Sequence, residues 1–280
     1  EIENIKKSSR MLREFATILD LPPAVTEKTR SSQMESTITV ESLVRYPPLY
    51  DYQFSTGRYL RKFLFGRAAS KRTMVTIPTG AGKTRLVVEA LVEWIAEGKP
   101  SDDEQIKNSS FILWIAPSKE ICEQAVDSFE ENYKHRGNPK QSLTIHRVWG
   151  KGGSLPDDVD TAQISEDVGV SGVIVANIQS LTKIKNKDPE LMNTLAENTG
   201  VIVVDEAHGI TTNEHRSVLK SMGFDWSLRA TKDKPKPEFS TKGIVLIGLT
   251  ATDFRGSGDN ESTKLLKRMF GNEIFHPIIQ

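Results

Sequence analysis

The chain has 280 residues, of which 37% are hydrophobic and 26% charged, and its 37 basic and 37 acidic side chains cancel to a formal net charge of zero. This composition is typical of a globular protein, and it excludes a disordered or a membrane-like chain. No apolar run reaches the roughly 18–20 residues that a membrane-spanning helix needs, and the single cysteine, Cys122, excludes an internal disulfide and a cysteine-based metal cluster.

Residues 1–45 predict a polar lead-in that is partly helical, with Met11–Leu19 as the best helical pattern. Five short apolar runs follow and predict strands. Runs of this length without polar alternation are typical of strands covered on both faces, as in a parallel sheet. The runs are Met74–Ile77, Phe111–Ala116, Val173–Ala176, Val201–Val204 and Ile244–Leu249.

Helical patterns lie between these runs. In Leu86–Gly98 the residues Glu89, Glu93 and Glu97 fall four apart, which predicts one narrow solvent-facing stripe on a mostly buried helix. Strands that alternate with helices predict a doubly wound α/β domain, with a mainly parallel sheet and helices on both faces. Two further helices are predicted at Lys119–Asn132 and Asn213–Met222.

Two segments predict surface connections. Gly150–Gly172 is rich in glycine, aspartate and serine, and we favour a solvated loop over a cation site there because no calcium-loop spacing appears. Arg229–Phe239 alternates lysine and proline, which predicts an exposed insert.

A glycine-rich stretch, PTGAGKT, joins the strand at Met74–Ile77 to the helix that follows. Gly80, Ala81 and Gly82 can bring backbone N–H groups close to a phosphate, and the helix N-terminus favours an anion. Lys83 would supply a charge for the β- and γ-phosphates and Thr84 a hydroxyl for Mg²⁺. The strict phosphate-loop pattern places glycine where this chain has isoleucine, so a glycine-rich start of a helix with an incidental lysine is the alternative.

Two carboxylates, Asp205 and Glu206, follow the run at Val201–Val204 in VIVVDEAHG. Ligands bind at the carboxyl ends of strands in α/β sheets. Asp205 would hold Mg²⁺, and Glu206 would position or deprotonate an attacking water; the alternative is two solvated carboxylates in a turn. His208 lacks a partner at metal-ligand spacing, so we expect it to form a hydrogen bond across the site.

The last predicted strand ends in LTAT, which places the hydroxyls of Thr250 and Thr252 at its carboxyl end. These hydroxyls could bond His208 and report the state of the nucleotide to a second surface.

The order of PTGAGKT, DEAH and LTAT, each after a separate predicted strand, resembles motifs I, II and III of superfamily-two helicases and translocases. The resemblance covers residues 46–280, which we expect to form a RecA-like ATP-binding domain. LYDYQ is similar to the Q motif, APSKEICEQ to motif Ia, and NIQSL to the motif between Ia and II. LTATDFR and the Q-motif region look most like the restriction-subunit and repair-type helicases, although Tyr50-Asp51 stands where that group often has Arg-Pro, and Asp253 where proline is usual.

The resemblance implies ATP and Mg²⁺ as cofactors and assigns roles by motif. Lys83, Asp205 and Glu206 would be catalytic, and Thr84 and Asp205 would hold the metal. His208, Thr250 and Thr252 would couple nucleotide state to movement. The nucleotide would contact Gln53, which would read adenine, and Thr79, Gly80, Ala81, Gly82, Lys83 and Thr84.

Nucleic acid would contact the loops after two other strands, at Pro117, Ser118, Lys119, Gln179 and Ser180. Such contacts go to phosphates and sugars rather than base edges. The alternative for Ser118 is a helix N-cap, and for Gln179 a solvent-facing residue without function.

We therefore expect the first motor domain of an ATP-dependent helicase or translocase, with DNA favoured over RNA as its partner and no membrane association. The family also has a second RecA-like domain with an arginine finger; because only 25 residues follow Arg255, we expect that domain to lie outside this chain. We expect a cytoplasmic protein, or a nuclear one in a eukaryote. The alternatives are an RNA helicase and a nucleic-acid-binding sensor or scaffold that does not hydrolyse ATP.

Overall fold

The computed structural model describes residues 37–41, 51–78, 80–150, 172–224, 243–251, 261–271 and 274–277. Tertiary contacts divide the chain into two compact units, 1–35 and 36–280, and every described residue belongs to the second. The predicted helix at Met11–Leu19 and the insert at Arg229–Phe239 lie outside the described residues. So does the predicted connection Gly150–Gly172, apart from its two end residues.

Eight strands form one sheet in the described part of the chain. All five predicted apolar runs are strands, and in four of them (β3, β5, β6 and β7 below) every residue is buried. The strands are β1 (Thr37–Glu41), β2 (Arg72–Thr76), β3 (Phe111–Ala116), β4 (Ser142–Val148), β5 (Gly172–Asn177), β6 (Thr199–Val204), β7 (Val245–Thr250) and β8 (Ile274–Phe275).

The order of the strands across the sheet is β1-β4-β5-β3-β6-β7-β2-β8. β1 and β4 pair antiparallel, whereas the other neighbouring strands pair parallel. This arrangement confirms the predicted mainly parallel sheet. The carboxyl ends of the parallel strands lie along one edge, and ligands of open α/β sheets bind at that edge.

Three strands were not predicted, and two of them show why. In β4, Leu143 and Ile145 are buried but Thr144 between them is half-buried, so no continuous apolar run marks the strand. β1 lies within residues 1–45, which the sequence assigned to the lead-in. It is a five-residue strand that pairs along its whole length with β4, from Thr37 opposite His146 to Glu41 opposite Ser142.

Helices cover both faces of the sheet. The three predicted helices are confirmed, with their ends shifted by a few residues. The helices are α1 (Asp51–Leu64), α2 (Lys83–Ala96), α3 (Glu104–Lys107), α4 (Lys119–Arg136), α5 (Ile178–Lys187), α6 (Pro189–Asn198), α7 (Asn213–Ser221) and α8 (Glu261–Phe270), and a 3₁₀ helix spans Ala207–Thr211. None of the helices that the structure describes is long and apolar enough to cross a membrane.

Two separate apolar cores lie on the two faces of the sheet. On one face α1, α2 and α4 pack together with Trp94 in their core, and the ring of Phe129 meets that of Trp114 from the sheet edge-to-face. On the other face α5, α6, α7 and α8 contribute residues such as Leu181 and Phe270. Burial of these side chains is the main favourable term in folding.

The predicted solvent-facing stripe on α2 holds for Glu97, which is exposed, but the structure contradicts it for Glu89. Glu89 is only 2% exposed, and its Oε1 lies 2.5 Å from Nε of Arg136 at the end of α4. Arg136 Nη1 also donates to Glu93 Oε1 at 2.7 Å, and Arg61 Nη2 from α1 donates to Glu97 Oε2 at 2.6 Å. The stripe is therefore an ion-pair seam that joins three helices, because the neighbouring helices bring arginines to it.

Loss of Arg136, the charge partner of the buried Glu89, should destabilise the folded protein. Burial raises the pKa of Glu89, and Arg136 opposes that shift. We expect Arg136→Met to lower the free energy of unfolding by roughly 3 kcal/mol at pH 7, because it leaves a buried carboxylate unpaired. An acid whose folded pKa is raised loses stability as the pH rises, so the deficit should shrink when urea unfolding is repeated near pH 5.

Arg61→Met is the matched control, since it removes an arginine from the exposed end of the same seam. Its pairs are about one-third exposed, and we expect a loss of about 0–1 kcal/mol. Equal losses for the two variants, or a deficit for Arg136→Met that does not depend on pH, would contradict the assignment.

Candidate nucleotide site

The register of the sheet brings the predicted motifs to one edge. Ala116 of β3 lies opposite Asn177 of β5, and Ile115 lies opposite Val204 of β6. On the far side of β6, Thr76 of β2 lies opposite Thr250 of β7. The segments that follow these strands therefore all leave the sheet at its carboxyl edge.

The glycine loop between β2 and α2 has an open conformation. Gly80 (φ 84°) and Gly82 (φ 73°) are both in the left-handed region, which residues with a Cβ rarely adopt. A Cβ added at either position would meet no atom within 4 Å, so the loop borders open space rather than packed protein. Gly82 directly precedes α2, whose N-terminus favours an anion. Of the predicted loop residues, Thr79 lies outside the described residues.

Lys83 and Glu206 form an ion pair across the site. Lys83 Nζ lies 2.6 Å from Glu206 Oε1, and the two side chains are only 10% and 28% exposed. Glu206 has a φ of 48°, which is uncommon for a residue other than glycine. The fold thus brings the lysine of the loop and the glutamate after β6 into contact, and their roles remain a prediction.

Asp205 and Thr84 bring oxygen ligands together beside this pair. Thr84 Oγ1 lies 3.4 Å from Asp205 Oδ2, and Asp205 is 4% exposed. The other carboxylate oxygen, Oδ1, accepts a hydrogen bond from the backbone N–H of Glu206 at 2.9 Å. Burial raises the pKa of Asp205, while that hydrogen bond and the charge of Lys83 act in the opposite direction.

A hydroxyl and a carboxylate at this spacing suit Mg²⁺, which proteins hold through one or two carboxylates and substrate phosphates rather than through a full protein cage. In keeping with that pattern, the described residues bring together no group of three histidine, cysteine, aspartate or glutamate side chains that could hold a metal alone. The chemistry of these two side chains therefore fits the predicted ion.

His208 contacts the carboxylate of Glu206. Its Nδ1 lies 3.3 Å from Glu206 Oε2, and the ring is 53% exposed. Thr250 is buried at the end of β7, and its carbonyl accepts a hydrogen bond from Ile77 N at 3.0 Å. Thr252 lies outside the described residues. The coupling role of these residues stays a prediction.

Gln53 lies in the first turn of α1 and is 8% exposed. α1 packs against α2, the helix that begins at the glycine loop. The glutamine therefore sits on an element that contacts the loop helix, and its role with adenine stays a prediction.

The predicted nucleic-acid residues differ in exposure. Pro117 and Lys119 are exposed, as is Gln179 in the first turn of α5. Ser118 is the N-cap of α4 and accepts a hydrogen bond from Ile121 N at 3.4 Å, so its alternative role as a helix cap is present. Ser180 is fully buried, so its hydroxyl is not available at this surface.

Two residues near the site were not singled out from the sequence. Asn177 ends β5 and caps α5, with its Oδ1 accepting from Ser180 N at 2.8 Å. An asparagine between an apolar run and a helix is a sequence pattern that could have predicted this cap. Ile115 matters through its backbone, because its carbonyl accepts a hydrogen bond from Asp205 N at 2.8 Å. A backbone contact leaves no mark in the sequence.

Cys122 lies on α4 and is completely buried. Burial raises the pKa of its thiol to about 12, and nearby carboxylates, including Asp205, add to the shift. A thiol in this environment stays protonated and unreactive.

Comparison with known proteins identifies relatives, one of which is a helicase by name. The U5 small nuclear ribonucleoprotein 200 kDa helicase of Homo sapiens is 24% identical over 232 residues, which are 82% of this chain and 10% of that protein. Activating signal cointegrator 1 complex subunit 3 of Dictyostelium discoideum is 22% identical over 192 residues, 69% of this chain and 8% of that protein. The chain thus spans a tenth or less of the length of these relatives.

Two solved structures share the fold. The DUF1998 helicase MrfA has a TM-score of 0.52 at 16% identity, covering 82% of this chain and 30% of that chain. Mss116p, bound to single-stranded RNA and AMP-PNP, has a TM-score of 0.50 at 16% identity, covering 82% of this chain and 40% of that chain.

The family described as type III restriction enzyme, res subunit, matches residues 27–255, which is well over half of the chain. The chain therefore belongs to this family, and its fold is that of a RecA-like motor domain of superfamily-two helicases.

Proposed function

We propose that this chain binds ATP with Mg²⁺ and, as the first motor domain of a nucleic-acid-dependent helicase or translocase, contributes most of the site that hydrolyses it. One observation carries the proposal. Lys83, Thr84, Asp205 and Glu206 come from two distant segments of the chain, yet they converge beside a glycine loop that borders open space.

The residues divide the work of phosphoryl transfer. Backbone N–H groups of the loop and the charge of Lys83 would hold the β- and γ-phosphates. Thr84 and Asp205 would hold Mg²⁺, which when bound neutralises charge on the phosphates. Glu206 would orient the attacking water and accept its proton.

The ion pair between Lys83 and Glu206 has a consequence for binding. Each side chain neutralises the other at 2.6 Å, so a phosphate that draws Lys83 away would free the carboxylate of Glu206 to act as the base. Substrate binding and activation of the base would then be one event.

The residues described above do not include a cation for the transferring phosphoryl group on the far side of the nucleotide. The resemblance to superfamily-two motors assigns that role to an arginine finger on a second RecA-like domain. We propose that this domain is needed for turnover and that ATP binds in the cleft between the two.

For the nucleic acid, we favour DNA over RNA, because LTATDFR and the Q-motif region look most like restriction-subunit and repair-type helicases. An RNA helicase remains the second candidate, since a relative of this chain is a small nuclear ribonucleoprotein helicase by name. A sensor that does not hydrolyse ATP is disfavoured, because Lys83, Asp205 and Glu206 are all present.

Loss of the loop lysine should weaken nucleotide binding. We expect Lys83→Ala to reduce the affinity for Mg-ATP by about tenfold to a hundredfold, because a hydrogen bond to a charged group contributes roughly 1.5–3 kcal/mol. Isothermal titration calorimetry measures this directly. Lys107→Ala changes an exposed lysine of α3 and should bind Mg-ATP as the parent does. Equal affinities for the parent and both variants would contradict the role of Lys83 in holding the phosphates.

The chain alone should bind ATP but turn it over slowly. In related phosphoryl-transfer enzymes an arginine finger contributes about 10³–10⁵ in rate, or roughly 4–7 kcal/mol of barrier. We therefore expect a large gain in steady-state hydrolysis, at saturating nucleic acid, when the downstream domain is present on the same polypeptide.

Glu206→Gln supplies the control for that experiment, because it keeps the size of the side chain and removes the base. It should abolish the gain while leaving ATP binding in place. Fast hydrolysis by the 280-residue chain alone, stimulated by nucleic acid, would contradict the need for a second domain.

Binding to nucleic acid should be independent of sequence and strongly dependent on salt, because backbone contacts release counterions. Fluorescence anisotropy with matched oligonucleotides of different sequence, at several salt concentrations, tests both points. Parallel measurements with DNA and RNA of the same sequence distinguish the two candidate partners. A strong preference for one base sequence would argue against a general motor.

A further inference from the structure

The helix that follows β5 carries a polar stripe that begins at the proposed nucleic-acid site. Gln179, Lys183 and Lys187 are four residues apart in α5, so they follow one face of the helix. Gln179 and Lys187 are exposed and Lys183 is half-buried. The stripe therefore runs from the carboxyl edge of the sheet onto the face that α5 covers.

The adjacent helix continues this basic character. α7 packs against α5, and Lys185 Nζ of α5 donates a hydrogen bond to Ser217 Oγ of α7 at 2.5 Å. Arg216 and Lys220 lie four apart on α7, the first half-buried and the second exposed. Lys185 lies on the side of α5 that meets α7, about 200° around the helix from Lys183 and Lys187. We call these three lysines, together with Arg216 and Lys220, the α5–α7 basic surface.

These five cations are not neutralised within the part of the chain that the structure describes. None of them lies within 4.0 Å of a carboxylate there, and the Nε of Arg216 is buried without a hydrogen-bond partner. On the opposite face of the sheet, Arg61 and Arg136 are both held by glutamates of α2. The cations of α1 and α4 are therefore paired within the domain, whereas the five cations of α5 and α7 are not paired with a described carboxylate.

The local charge is high for a chain whose net charge is zero. α5 and α7 together carry these five cations and one carboxylate, Glu214, which leaves a net charge of +4 on the two helices. The following helix, α6, is acidic: Asp188 caps it, accepting from Leu191 N at 2.9 Å, and Glu190 and Glu197 lie within it, so the excess of positive charge is confined to α5 and α7. A polyanion is the complement of such a surface.

We propose that the α5–α7 basic surface binds the phosphate backbone of the nucleic acid beyond Gln179. The proposal rests on the proposed function, which places the same strand against Pro117, Lys119 and Gln179 at the carboxyl edge. The surface extends that path onto the face of the domain covered by α5 and α7. Contacts of lysine and arginine with phosphates add affinity without sequence preference, as a translocating motor requires.

The test uses two double variants and a matched control on the 280-residue chain. Lys183→Gln with Lys187→Gln removes two charges from α5, and Arg216→Gln with Lys220→Gln removes two from α7. Lys107→Gln with Lys140→Gln removes two exposed lysines that precede β3 and β4, at the opposite edge of the sheet. Binding of labelled single-stranded and duplex DNA is measured by fluorescence anisotropy between ~50 and ~200 mM salt.

Each α5–α7 double variant should bind DNA on the order of tenfold more weakly at low salt. The slope of log affinity against log salt should fall in magnitude by about 1.4–1.8, which corresponds to two phosphate contacts. The control variant should match the parent in affinity and slope. All three should bind Mg-ATP as the parent does, because none of the changed residues lies at the glycine loop.

Three outcomes would overturn the proposal. If the parent binds DNA and both α5–α7 variants match it, the surface takes no part, and the proposed function stands. If the variants lose binding to polyglutamate but keep binding to DNA, the partner is an acidic protein. If no protein in the set binds DNA or RNA while Mg-ATP binding persists, the nucleic-acid part of the proposed function fails together with this inference.

Discussion

The proposed nucleotide site depends on the ion pair between Lys83 and Glu206, and that ion pair depends on the parallel sheet. The two residues are 123 positions apart, and their side chains meet only because β2 and β6 run parallel and end at the same edge. β7 lies between these strands, so both side chains must reach across its end. Glu206 also adopts a left-handed backbone conformation, which costs about 1 kcal/mol or more for a residue other than glycine. A strained residue that is held in place by the surrounding sheet is typical of functional sites.

The backbone around the pair is anchored to the sheet rather than to loops. Asp205 N donates to the carbonyl of Ile115 on β3, and Ile77 N donates to the carbonyl of Thr250 on β7. The first of these bonds links the proposed metal ligand to the strand that precedes Pro117–Lys119. Ile115, which accepts that bond, lies two residues before Pro117, so the loop after β3 begins close to the backbone of Asp205.

The two faces of the sheet use their charges differently. On the face of α1, α2 and α4, arginines neutralise the glutamates of α2 and hold three helices together. On α5 and α7, in contrast, Lys183, Lys185, Lys187, Arg216 and Lys220 have no carboxylate within ion-pair distance among the described residues. The formal net charge of zero therefore does not reflect how the charges are distributed over the two faces. For that reason composition alone could not indicate whether the chain binds nucleic acid.

Much of the fold and of the nucleotide site could be predicted from the sequence, because both depend on local patterns. Continuous apolar runs identify the buried parallel strands, and glycine, lysine and threonine before a helix predict a phosphate loop without knowledge of its neighbours. Tertiary structure decided what depends on distant partners. The glutamates of α2 lie in a seam because Arg61 and Arg136 come from other helices, β1 is a strand because β4 pairs with it, and Ser180 is buried because α5 packs against the sheet. The sequence determined which chemical groups are present and which short segments carry them, whereas their distances, burial and charge partners were set by packing between segments that lie far apart in the chain.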